Sequence, residues 1–86
     1  MTTTEQLLST RQTTHGDWNE QAKLAHDLKG LMHRSRQWNT MTPGQREALD
    51  MIAVKLSRIC SGNPNEPDHY DDIAGYAKQL YSRAWW

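Results

Sequence analysis

"TPGQREALDMIAVKLSRICSG", residues 42–62, is the stretch whose reading decides the fold class. Thr42 offers a side-chain oxygen to a free helical N–H, Pro43 presets φ at a first helical position, and Gln45 stands where a capping-box partner belongs. At 100° per residue, Leu49, Ile52, Leu56 and Ile59 gather on one side, while Glu47, Asp50 and Arg58 gather on the other with Met51 and Val54. The spacing predicts a helix to about Cys60, apolar on its core side and mixed behind. Cys60 is expected to be a small buried apolar group.

On the C-terminal side, "SGNPNEP", residues 61–67, stops this helix with a glycine and two prolines and restarts the chain with Pro67 at a first helical position. Ile73, Ala77, Leu80 and Ala84 then form the apolar face of a further helix. On the N-terminal side, Asp17 and Glu20 have capping-box spacing. Trp18, Ala22, Ala25, Leu28 and Met32, joined by Leu24 and Leu31, give a broad apolar stripe running to about Arg36. Thr3 and Gln6 open a short first helix through about Arg11, and "QTTHG" breaks it. Sustained alternation and hairpin turns are missing from the sequence, so the fold class is all-α: one domain over residues 1–86, a small bundle of three main helices plus a short N-terminal helix.

A chain of 86 residues buries only about 60% of the surface its unfolded form exposes, and the apolar fraction is 36% with mean hydropathy −0.91. The bundle is therefore expected to be a homo-oligomer that shares its core. Trp85 and Trp86, costly to leave in water, are expected at an interface or folded back on the bundle. Ten Lys and Arg balance ten Asp and Glu, which excludes a general basic field for nucleic acid, and no polybasic run points to a membrane surface. A single cysteine excludes an internal disulfide. The opening "MTTTEQLLST" lacks the basic and apolar regions of a signal peptide, so a cytoplasmic location is expected.

The acids carry the chemistry. Glu47-x-x-Asp50 and Asp68-x-x-Asp71 each put two carboxylates one turn apart on helices that a short loop makes antiparallel neighbours. Asp68, Asp71 and Asp72 share a face with Gly75, whose missing side chain signals either close packing or a required gap. Converged, these oxygens suit Mg²⁺ or Mn²⁺, which would leave positions open for a nucleotide's phosphates. Spread apart, they are helix caps and a solvated face.

This spacing, with "DIAGYA" following it, resembles the acidic helices of the MazG-like all-α nucleoside triphosphate pyrophosphohydrolases. The pattern "R-x-x-T-H-G-D-W", "ALDMIAVKLSRI" and "DHYDDIAGYA" over residues 11–77 resembles a family of small bacteriophage proteins. The first resemblance implies Mg²⁺ held by Glu47, Asp50, Asp68 and Asp71, hydrolysis of a nucleoside triphosphate to monophosphate and pyrophosphate, and assembly into dimers or tetramers. Asp50 and Asp68 stand where that family usually has glutamate, and Arg46 precedes Glu47 in place of a second glutamate. The second resemblance implies action in a host cell's cytoplasm. Its competing expectation is a non-catalytic inhibitor of a host defence protein, using an acidic patch that mimics nucleic acid, or a sponge for a nucleotide signal.

His15, Gly16 and Asp17 form the entry to the second helix, either as a phosphate-receiving turn or as a plain turn and cap. Lys55 and Arg58 either bind phosphate oxygens or complement a helix terminus, and Asp72 is placed with them at the nucleotide. Arg34, Arg36 and Trp38 form a basic and aromatic cluster, with Trp38 expected to close an interhelical corner. His26, His33 and His69 lack metal spacing with Cys60.

Overall fold

A computed structural model describes residues 3–82. The described residues form the helices α1 (Thr4–His15), α2 (Trp18–His33), α3 (Pro43–Ser61) and α4 (Pro67–Ser82), with a 3₁₀ turn at Trp38–Thr40. The described residues contain no strand, and none of their helices is long and apolar enough to cross a membrane. Trp85, Trp86 and Ala84 lie outside the described residues.

The caps explain where the helices begin. Thr3 and Gln6 satisfy each other's backbone N–H groups at the head of α1, and Thr42 and Gln45 do the same for α3. At α2 only half the box forms: Asp17 Oδ2 accepts from the Glu20 backbone at 3.1 Å, with no return bond from the Glu20 side chain. The helix ends differ from the sequence reading. The threonines at 13 and 14 are tolerated within a helix, so α1 continues to His15 and breaks only at Gly16, whose φ is +87°. α2 ends at His33, not near Arg36, because the Ser35 backbone and hydroxyl both bond the Met32 carbonyl and turn the chain.

α3 is the axis of the bundle, flanked by α2 and α4 and crossed by α1. The buried apolar groups among the described residues are Ala25, Trp38, Ala48 and Ala53, joined by buried Gln21, Ser57 and His69. The buried α2 and α3 side chains are small apart from Gln21, and the larger aliphatic groups Leu49, Ile52 and Ile59 of α3 are half-buried. Leu56 corrects the expected core face: it is 41% exposed, because α3 turns its Ala53 and Ser57 side inward and Leu56 lies about 100° around the helix from Ser57. Cys60 is likewise exposed, not buried.

Trp38 closes the corner between α2 and α3 as expected. Its ring stacks on His33 with centroids 4.3 Å apart, and His33 Nε2 lies 2.7 Å from Asp50 Oδ1. Arg46 fastens the same corner from α3, donating from Nε to the Trp38 carbonyl at 3.0 Å and from a terminal nitrogen to the Asn39 carbonyl at 2.9 Å.

Candidate functional site at the α1–α2 elbow

Gly16 fixes the geometry of the site. Its positive φ bends the chain sharply between α1 and α2, and a Cβ built there would overlap the Ser61 carbonyl. The elbow therefore rests directly on the last turn of α3. Asp17 then caps α2, so Trp18 and Gln21, three residues apart, project from the same side of its first turn.

These residues border a cleft of about 690 Å³, closed by Leu8 and His15 from α1 and Arg58 from α3. The volume is within the range of small-molecule sites. Trp18 forms an open wall, 69% exposed. Gln21 is its opposite, 4% exposed on the cleft lining. Among the described residues, Arg58 Nε is buried with no hydrogen-bond partner, and so is the Ser61 hydroxyl on the next turn. A guanidinium donor held out of water without an acceptor is costly, so its place on a cleft lining suits an anionic ligand group. His69, buried in the first turn of α4, completes the surroundings with its ring centroid 5.2 Å from that of His15.

Three separated stretches thus meet: "THGDW" at the elbow, "KLSRI" on α3 and "DHYDD" on α4. Of the residues expected at a nucleotide, His15 and Arg58 share the cleft. Lys55 and Asp72 are instead paired with each other, Nζ to Oδ2 at 3.0 Å across α3 and α4, with the lysine side chain 12% exposed. Gln21 and His69 were not singled out by sequence. The signal for Gln21 was its place on the α2 stripe, between Trp18 and Ala25, where a polar side chain has no packing reason to stand.

The expected metal ligands have a different arrangement. Asp50 bonds His33, while Glu47, Asp68 and Asp71 are exposed. Among the described residues, no three His, Cys, Asp or Glu side chains come close enough together to hold an ion. A Cβ on Gly75 would meet nothing within 4 Å, so this glycine faces open space and not a packed helix. Arg34 and Arg36 are exposed beside the Trp38 corner.

Neither a curated protein nor a solved structure matches the chain. A family model described as a domain of unknown function, DUF6378, matches residues 1–82, a span that takes in the elbow, α3 and α4. The chain belongs to the DUF6378 family.

Proposed function

We propose that the chain binds a nucleotide in the cleft at the α1–α2 elbow. The observation that carries this reading is the buried, unpartnered Nε of Arg58 on the lining of a cleft whose outer wall is an exposed tryptophan. A guanidinium receives phosphate oxygens, and an indole face stacks a base. His15 stands beside them as a further donor to phosphate, and Leu8 shields the apolar side of the ligand.

Binding is the part of the MazG-like expectation that this geometry supports. Hydrolysis with Mg²⁺ would need Glu47, Asp50, Asp68 and Asp71 drawn together, and one chain does not bring them together. No catalytic step is therefore assigned. A non-catalytic nucleotide sponge would use the same cleft.

The test is a calorimetric titration with nucleoside mono- and triphosphates and with inorganic phosphate, on the wild type and Arg58→Met. Micromolar or tighter nucleotide binding that weakens at least tenfold in the variant supports the reading. Equal affinity in both proteins, or no heat with any nucleotide, overturns it. Pyrophosphate release in the same mixtures would restore the enzymatic form.

A second reading rests on the exposed carboxylates. Glu47, Asp68 and Asp71 make no side-chain hydrogen bond or ion pair among the described residues, which suits an acidic patch that engages a host defence protein.

Self-association belongs to either reading. Leu31 and Tyr81 are exposed at 61% and 81% on a chain with a small core, and a homo-oligomer would cover such surface.

A further inference from the structure

Gln21 is nearly completely buried, yet its carboxamide takes no part in the hydrogen bonding that holds the fold. Its backbone N–H donates to the Asp17 carbonyl at 2.9 Å, and its side chain makes no hydrogen bond among the described residues. The carboxamide is not cut off from water: among the described residues, the buried side-chain polar atoms without a partner are Arg58 Nε and the Ser61 hydroxyl. The position does not demand a polar group for folding: Trp18, Ala22, Ala25 and Leu28 on the same helix are apolar. The side chain is not sealed in the core either, since it borders the elbow cleft. A polar group that lines a cleft and is unused by the fold is open to a ligand there.

From these relations we infer that Gln21 reads the edge of the base and sets the base preference of the site, an inference that rests on the nucleotide reading above. Trp18 and Gln21 lie one turn apart on one side of α2, so a base stacked on the indole turns its edge along the helix toward the carboxamide. The amide offers one acceptor beside two donors. It pairs in a bidentate manner with a base edge that presents one donor next to one acceptor, as the N6 and N7 atoms of adenine do. Arg58 binds the phosphate, a part common to all nucleotides, and so contributes affinity without choice of base. Gln21 contributes the choice.

The test measures dissociation constants for the four ribonucleoside monophosphates and for purine riboside monophosphate, which lacks the exocyclic amine of adenine. The proteins are the wild type, Gln21→Met and Gln21→Glu, each first checked for a cooperative helical melt. In the wild type, adenosine monophosphate is expected to bind at least tenfold more tightly than purine riboside monophosphate. In Gln21→Met, which keeps the side-chain length and removes both polar atoms, the gap should fall to about twofold. Gln21→Glu keeps the acceptor and loses the amide donors, so the ranking of bases should change. Nucleotides that bind with the same ranking in the wild type and both variants would overturn the role of Gln21 while leaving the nucleotide site intact. Absence of binding by any monophosphate to the wild type would overturn both.

Discussion

Gly16 sits against the Ser61 carbonyl so closely that no other residue fits without moving one of the two backbones. This contact fastens the α1–α2 elbow to the end of α3, and it is what sets Trp18 and Gln21 opposite Arg58. Gly16→Ala is therefore expected to cost stability twice. An alanine at positive φ costs about 1–2 kcal/mol, and the overlap with Ser61 adds about 1–3 kcal/mol. Thermal melts should show a fall in Tm of more than about 8 °C, since about 1 kcal/mol shifts a domain of this size by 4–8 °C. An unchanged Tm would mean that the elbow does not rest on α3.

The Trp38 corner gives a second test. Arg46 bonds two successive carbonyls, a geometry that the forked guanidinium provides and a single ammonium does not. Arg46→Lys should lose about 1 kcal/mol, one to two backbone hydrogen bonds partly replaced by water. His33→Ala and Asp50→Ala in a double-mutant cycle should show coupling of about 0.5–1.5 kcal/mol, because the pair is half exposed and screened. Urea denaturation measures both.

The Lys55 and Asp72 pair predicts a null effect on binding. Since each occupies the other, Asp72→Asn should leave nucleotide affinity within about twofold and should cost about 1–3 kcal/mol of stability, because the 12%-exposed lysine side chain loses its counter-charge. Calorimetry on the variant checks the first point and a thermal melt the second.

Chelation separates the cleft from the acidic helices. Asp17 is the carboxylate on the cleft lining, and its Oδ2 already accepts from the Glu20 backbone. Monophosphate binding should thus persist in EDTA, with affinity changed by less than about twofold, because the guanidinium contact needs no ion. Loss of binding on chelation would move the site to Glu47, Asp50, Asp68 and Asp71.

Much of the fold was legible in local signals. The caps of Thr3, Thr42 and Pro67 are read from neighbouring residues alone, so α1, α3 and α4 begin where sequence places them. Leu56 and Cys60 were misjudged because periodicity fixes a helix's stripe and not its rotation against three neighbours at once. The site was legible in part for a related reason. His15 and Arg58 carry charge or donors and attract notice, but their meeting depends on the Gly16 bend and its rest on Ser61, a tertiary contact. Gln21 stands out only when burial and an idle carboxamide are seen together.

The most direct measurement is amide and indole chemical-shift mapping of isotopically labelled protein titrated with a nucleoside monophosphate. Saturable shifts are expected at Gly16, Trp18, Gln21 and Arg58, including the Trp18 indole N–H, with Glu47, Asp68 and Asp71 unmoved. Shifts confined to the acidic faces of α3 and α4, with the elbow silent, would contradict this expectation.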